Sequence, residues 1–160
     1  MLIKVIVVGR ARDPLDHAVA HFEERAARYW KLEVVEVEGG VKGKGKAAPA
    51  AVMDAEAERI LTQIPPGATV VALTREGRPW SSVRLSRFLQ ECALSSVREV
   101  DFVVGGAFGL SAAVLERADR RLTLSSMTMP HELARLVLAE QLYRAGTIQR
   151  GEPYHKGADA

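Results

Sequence analysis

The chain has 160 residues, 48% of them hydrophobic and 26% charged, and its formal net charge is +2 at pH 7. This composition is typical of one soluble globular domain, here expected to span residues 1–160. No apolar run is long enough to cross a membrane and the N-terminus reads as a strand without a cleavable leader, so we expect a cytoplasmic protein. The single cysteine, Cys92, excludes an internal disulfide.

Strands and helices alternate along the first half of the chain. Residues 2–8 form an apolar, β-branched run that ends at Gly9, a pattern typical of a buried parallel strand. A helix is predicted next, with Asp13 as its N-cap and Pro14 at its first helical position. A strand is then predicted over residues 32–37 and a helix over 48–64. A third strand follows over 69–74, with an exit loop over 75–80.

The second half continues this alternation and contains two unusual turns. A helix capped by Ser81 and Ser82 is predicted first. A strand over 100–104 then ends at the glycine turn, residues 105–109. A strand over 122–124 ends at the serine turn, residues 125–130. Helices are predicted after these turns, over residues 111–117 and 131–144. Glycine has no Cβ, so such turns let the backbone approach a ligand, and ligands bind at the carboxyl ends of parallel strands.

Five successive strand and helix pairs predict an α/β fold with a mostly parallel sheet and helices on both faces. The first strand is not followed by G-x-G-x-x-G, and no P-loop is present, which excludes a standard nicotinamide or P-loop nucleotide site. Gly106 to Gly109 has the G-x-x-G spacing of an RNA-clamping loop, but so short a match is common by chance.

Other candidate reactive groups have simpler explanations. Cys92 lies in a helix pattern without an adjacent base, and Ser125 lacks the G-x-S-x-G elbow, so neither is predicted to be a nucleophile. His17 and His21 lie one helical turn apart, but without a third ligand they are predicted to be exposed helix residues, and we expect no metal site.

Glycine and lysine alternate in the basic segment, residues 39–46. Flexible lysines on an adaptable backbone suit sequence-independent contacts with phosphates. A solubilising loop explains the same pattern equally well.

Four motifs, in order, resemble the RlmH family of SPOUT methyltransferases: Phe102 to Leu110, Leu124 to His131, Glu140 to Ala145 and Pro153 to His155. The resemblance covers nearly the whole chain. It implies a homodimer that uses S-adenosylmethionine, and no metal, to methylate ring nitrogen 3 of a pseudouridine in 23S ribosomal RNA. The implied substrate is a large-subunit helix at the subunit interface of the assembled ribosome. The resemblance also implies a C-terminal trefoil knot, with the knotted, cofactor-binding part over about 70–155, whereas general topology rules predict an unknotted sheet.

The resemblance assigns candidate residues as well. The implied cofactor-binding positions lie at strand ends and are Leu73, Gly105, Leu124, Ser125, Ser126, Met127, Thr128 and Met129. Arg144 is expected to hold the carbonyl oxygens of the base or a phosphate, His155 to take the proton, and Tyr154 to stack on or hydrogen-bond the base. Phosphate contacts are assigned to basic side chains, namely Arg10, Lys42, Lys44, Lys46, Arg150 and Lys156.

Alternatives remain open at this point. Arg144 forms an ordinary surface ion pair with Glu140 if it has no other role, and Tyr154 and His155 then belong to a frayed tail. Two other functions fit the pattern: a noncatalytic dimeric RNA-binding factor with the same fold, and an unknotted nucleotide-binding regulator. Phe108 places a bulky ring beside the glycine turn, at a position where the family varies.

Overall fold

The computed structural model describes residues 1–43 and 45–157. Over these residues the chain forms a five-stranded parallel sheet with five helices. The strands are β1 (Leu2–Val8), β2 (Lys31–Val37), β3 (Thr69–Pro79), β4 (Glu99–Val104) and β5 (Arg120–Thr123). The helices are α1 (Leu15–Ala26), α2 (Pro49–Leu61), α3 (Ser82–Leu94), α4 (Ala112–Arg117) and α5 (His131–Gln149).

The sheet has the strand order β2-β1-β4-β3-β5, and every pair is parallel. Alternate residues of the central strands pack on opposite faces, because side chains along a strand alternate in direction. One face packs against α1, α3 and α5, and the other against α2 and α4. The predicted α/β fold with helices on both faces is therefore confirmed. Strand order alone does not decide whether the chain is knotted, and the trefoil knot stays a prediction.

The third strand is longer than predicted, and the exit loop expected over 75–80 is wrong. The chain continues in β3 as far as Pro79, with a shift of register between Leu73 and Arg78, both of which pair with Leu122 of β5. A Cβ at Gly77 would lie 2.5 Å from the carbonyl carbon of Leu122. Glycine is needed here because the two backbones approach too closely for any side chain.

The start of α1 also differs from the prediction. Pro14, rather than Asp13, occupies the N-cap position, and no side chain caps the helix. The first free N–H groups, of Leu15 and Asp16, donate instead to the backbone carbonyl of Arg12. The predicted cap of α3 is confirmed, since the Ser81 hydroxyl accepts from the N–H of Arg84 at 3.1 Å.

The last helix extends five residues past the predicted end at Arg144, to Gln149. Gly146 on this extension packs so closely on the Tyr29 ring that a Cβ would lie 2.4 Å from it. Among the described residues, no helix combines the length and the apolar character that a membrane span requires.

Candidate active site

The carboxyl ends of β4 and β5 lie at one edge of the sheet, on either side of β3 at the point where β3 shifts register after Leu73. Leu73 of β3 pairs with Val104 of β4 on one side and Leu122 of β5 on the other. A cavity of about 480 Å³ opens beside the ends of β4 and β5 and the middle of β3. Its size is that of a site for a small ligand or cofactor, and its position is the usual one in parallel α/β sheets.

The cavity is lined by the residues that the sequence places at these strand ends. All the predicted cofactor positions except Ser126 contribute to its wall, namely Leu73, Gly105, Leu124, Ser125, Met127, Thr128 and Met129. Ser126 is exposed and is not part of the cavity wall. Phe108 also lines the cavity, and 51% of its surface stays exposed, so the bulky ring stands at the rim.

The glycine turn is closed on itself. The N–H of Gly109 donates to the carbonyl of Gly106 at 3.1 Å, and Gly109 has a φ of +83°, a left-handed conformation that favours glycine. A Cβ at Gly105 would lie 2.9 Å from the carbonyl carbon of Gly109. Gly105 therefore lets the turn fold back over the end of β4.

Hydrogen bonds within the serine turn fix its shape. The Ser125 hydroxyl accepts from the N–H of Met127 at 3.0 Å, and the Ser125 carbonyl accepts from the Thr123 hydroxyl at 2.7 Å. Arg75, on the extended part of β3, donates to the Thr128 hydroxyl at 2.8 Å. Arg75 lines the cavity from this extended strand and not from a loop.

His131 begins α5 and lines the cavity. Its Nε2 atom is buried without a hydrogen-bond partner, and a Cβ at Gly9 would lie 3.0 Å from that nitrogen. The side chain thus fills the space between the end of β1 and the start of α5.

The three catalytic candidates lie together in one cluster with Glu140. The Arg144 guanidinium donates to the Glu140 carboxylate, with Nε 3.0 Å from Oε1, and lies 4.7 Å from the centre of the Tyr154 ring. The Tyr154 hydroxyl donates to the same carboxylate oxygen at 3.1 Å. Arg144 Nη1 lies 3.4 Å from Nδ1 of His155. The tail is therefore packed on α5, and the ion pair with Glu140 is one part of a larger network.

The surroundings of Arg144 and Tyr154 raise the pKa values of both groups. The hydrogen bond from Arg144 to Glu140 raises the pKa of the guanidinium further. Burial, followed by the charge of Glu140, raises the pKa of the Tyr154 hydroxyl. Glu140 also accepts from Gln141 at 2.7 Å, so both of its oxygens are engaged. Tyr154 and Arg144 are consequently hydrogen-bond donors at neutral pH.

This cluster does not line the first cavity within one chain. His155 instead lines a second cavity of about 430 Å³, which shares Thr123 and Leu124 with the first. Ala134 lines the first cavity, and Arg144 lies ten residues further along the same helix, which corresponds to about 15 Å at 1.5 Å per residue.

The predicted phosphate-binding residues are exposed wherever the structure describes them: Arg10, Lys42, Lys46, Arg150 and Lys156. Lys44 lies outside the described residues. Lys42 pairs loosely with Glu38 at 3.8 Å, and the Arg150 guanidinium lies 4.5 Å from the centre of the Tyr29 ring.

One further group of polar residues lies near the start of α1. The structure brings Asp13 and Asp16 next to His17, with one atom of each within 4.8 Å of the others. The sequence analysis had found no third ligand for a histidine here. Exposed acidic groups commonly gather in this way without an ion, and we assign no metal to this group.

The chain belongs to a family of methyltransferases. The family model described as "Predicted SPOUT methyltransferase" matches residues 1–155. Among solved structures, a probable methyltransferase from Bordetella pertussis Tohama I shares the fold, with a TM-score of 0.59, 18% identity, and coverage of 90% of this chain and 93% of that one.

More similar relatives carry a more specific name. The protein named ribosomal RNA large subunit methyltransferase H from Gemmatimonas aurantiaca is 50% identical over 157 residues, which cover 98% of this chain and all of the relative. A protein of the same name from Anaeromyxobacter sp. is 46% identical over the same share of each chain. The family resemblance seen in the sequence motifs is confirmed.

Proposed function

We propose that this protein transfers a methyl group from S-adenosylmethionine to large-subunit ribosomal RNA, at ring nitrogen 3 of a pseudouridine. The observation that carries the proposal is the cavity beside the ends of β4 and β5 and the middle of β3. The chain that forms it belongs to the SPOUT methyltransferases and matches relatives named ribosomal RNA large subunit methyltransferase H over nearly its full length.

The residues of the cavity suit S-adenosylmethionine. The glycine and serine turns present backbone amides and hydroxyls of the kind that recognise the edge of an adenine, and Leu73, Leu124 and Met129 offer apolar contacts to its ring. When bound, the cofactor supplies an activated methyl group on a sulfonium, so the protein needs chiefly to bind and aim it.

Arg144 is the group we assign to the acceptor base. The acceptor nitrogen is an imide between two carbonyl groups and is mostly protonated at neutral pH, so methyl transfer requires loss of a proton and stabilisation of the negative charge that spreads onto the oxygens. A guanidinium held by Glu140 is a preorganised donor for such an oxygen. No side chain has to reorganise when the charge develops.

His155 and Tyr154 serve better as donors than as bases in this arrangement. Because a guanidinium only donates, Nδ1 of His155 accepts from Arg144, which places the proton of a neutral imidazole on Nε2. Tyr154 donates to Glu140 and has a raised pKa, so it also keeps its proton. The imide proton would then leave to water or to the RNA, with the cluster stabilising the anion.

A homodimer accounts for the separation between the cluster and the cavity. Leu133, Leu136 and Val137 on α5 stay partly exposed although the helix is otherwise packed into the core. An apolar helix face of this kind favours contact with a second copy. In a homodimer the Arg144 cluster of one chain is available to the cavity of the other, and the exposed basic residues of both chains face the RNA.

Transfer of labelled methyl groups from S-adenosylmethionine to ribosomes and to bare ribosomal RNA tests this function. We expect incorporation into assembled ribosomes, little into bare RNA, and none with a chain that ends before Tyr154. If the intact chain binds ribosomes but transfers no methyl group to either substrate, the proposal fails in favour of a noncatalytic RNA-binding factor.

A further inference from the structure

Glu56 on α2 is a buried carboxylate that the proposed chemistry does not use. Only 4% of its surface is exposed, and it is not part of the cavity wall. Its Oε1 atom accepts from the N–H of Gly40 at 2.9 Å, whereas its Oε2 atom is buried without a partner. An unsatisfied buried carboxylate oxygen is costly, so a glutamate here calls for an explanation other than packing.

The carboxylate occupies a gap between the basic segment and the glycine turn. A Cβ at Gly106 would lie 2.9 Å from Oε2 of Glu56 and 3.1 Å from Val8 Cγ1. A Cβ at Gly39 would lie 3.5 Å from Oε1 of Glu56 and 3.3 Å from the same Val8 atom. Neither glycine has a positive φ. Both positions therefore gain from glycine because of the room it leaves for Glu56 and Val8, and not because of backbone conformation.

A second side chain of α2 fixes the start of the basic segment. Arg59 Nη1 donates to the carbonyls of Glu38 and Gly40, each at 2.7 Å. Together with the bond from Gly40 to Glu56, these contacts hold both the N–H and the C=O groups of this stretch against the helix. The start of the basic segment and Gly106 thus both adjoin the Glu56 carboxylate.

We propose that Glu56 is a positioning residue that links the basic segment to the glycine turn, so that RNA binding and cofactor binding favour each other. The inference rests on the proposed function. On cofactor binding, a backbone N–H of the glycine turn donates to the free Oε2 atom, while Oε1 keeps its bond to Gly40. The link is reciprocal, because a coupling free energy between two sites acts equally in both directions.

Hydrogen exchange with and without saturating S-adenosylmethionine tests the link. In the wild-type protein we expect the cofactor to slow amide exchange in the glycine turn about fivefold, the effect of one added hydrogen bond. Exchange in residues 39–43 should slow as well, because the carboxylate that accepts from Gly40 is then held from both sides. Glu56→Gln turns an N–H donor toward the position where an acceptor is needed, so residues 39–43 should lose this response. Glu56→Asp keeps the charge but is one methylene shorter, and should act in the same way. Glu58→Gln, at an exposed position on the same helix, is the matched control.

Enzyme kinetics provide a readout that a purely structural role would not produce. We expect Glu56→Gln to raise KM for S-adenosylmethionine about fivefold while kcat stays within about twofold and the melting temperature is unchanged. Two results would overturn the inference but leave the proposed function standing. In one, the cofactor protects the glycine turn of the wild type but not residues 39–43. In the other, the response of residues 39–43 persists in both Glu56 variants. If the cofactor protects neither segment of the wild type, the proposed function fails and the inference fails with it.

Discussion

The two ends of the sheet use buried polar groups in different ways. In the amino-terminal halves of β1 and β4, Lys4 faces Asp101 at 4.0 Å, bonds to Glu99 and donates to the carbonyl of Gln63 at 2.9 Å. None of these residues lines either of the two cavities described above. Beside the carboxyl ends of β4 and β5 and the middle of β3, the polar groups belong to turns around a cavity. Polar side chains of these strands thus pack against one another at one end of the sheet, and polar groups of the turns are available to a ligand at the other.

This difference predicts that changes at the two ends have separable effects. Substitutions at the carboxyl end should impair binding or transfer while leaving stability nearly unchanged. Substitutions in the Lys4 cluster should alter stability and its pH dependence while leaving transfer intact.

The largest effect is expected for Arg144→Ala. Loss of the donor that stabilises the anionic base should lower the rate of methyl transfer on the order of 100-fold or more, with cofactor affinity close to wild type. Transfer of labelled methyl groups and calorimetric titration of S-adenosylmethionine measure the two quantities. Arg87→Ala, at an exposed position on α3, is the control. Equal losses of affinity and rate would show that Arg144 acts on the cofactor cavity instead.

The next largest effect is expected for Gly105→Ala. The added Cβ would lie 2.9 Å from the carbonyl carbon of Gly109 and force the glycine turn to move. Overpacking of this kind should weaken cofactor binding by roughly tenfold or more. Gly67→Ala is a matched control because a Cβ there meets nothing within 4 Å. Unchanged affinity for S-adenosylmethionine in Gly105→Ala would remove the glycine turn from the cofactor site.

At the opposite end of the sheet, Asp101→Asn should change stability in a pH-dependent way. Burial, followed by the neighbouring Glu99, raises the pKa of Asp101 from 3.8 to about 7. The folded state therefore retains a proton that the unfolded state releases, and this residue's contribution to stability falls as pH rises from about 4 to 7, by up to about 1.4 kcal/mol per pH unit.

The measurement is the free energy of unfolding in urea at pH 5, 6, 7 and 8. The wild-type profile should fall relative to that of Asp101→Asn up to about pH 7 and then run parallel to it. Asp54→Asn, at an exposed position on α2, should give a profile parallel to wild type throughout. A parallel profile for Asp101→Asn would mean that its carboxyl group is ionised at all these pH values.

The smallest effect is expected for the double change of Lys42 and Lys46 to alanine. Both side chains are exposed, and each should contribute a phosphate contact whose loss raises KM for ribosomes a few-fold, to about three to ten times the wild-type value. The dependence of log affinity on log salt should become shallower by about one to two units. Lys31→Ala, at the amino-terminal end of β2, is the control. An unchanged salt dependence would leave the basic segment as a solubilising loop.

Much of the fold follows from local patterns in the sequence. The buried strands are continuous β-branched runs, a glycine turn follows β4 and a serine turn follows β5, so the positions of these strands can be read from single segments. The extension of β3 cannot be predicted in this way, because Arg75 to Pro79 has the composition of a loop. Its pairing with β5 depends on a segment more than forty residues away.

The parts of the site that the sequence did not predict depend on contacts between distant elements. Glu56 and Glu58 look alike in a helix pattern, and only the packing of α2 against the ends of β1 and β4 buries one of them. The pairing of Lys4 with Asp101 follows from the register of β1 and β4. The roles of Arg144, Tyr154 and His155 were taken from family resemblance, since their residue types alone allow an ordinary ion pair and a loose tail.

The identity of the methylated nucleoside tests the central claim most directly. Large-subunit RNA from ribosomes incubated with the protein and S-adenosylmethionine is digested to nucleosides and analysed by mass spectrometry against an N3-methylpseudouridine standard. The account predicts that this nucleoside appears with the wild-type protein and forms on the order of 100-fold more slowly with Arg144→Ala. A methyl group on any other base, or the same initial rate of N3-methylpseudouridine formation with both proteins, would contradict it.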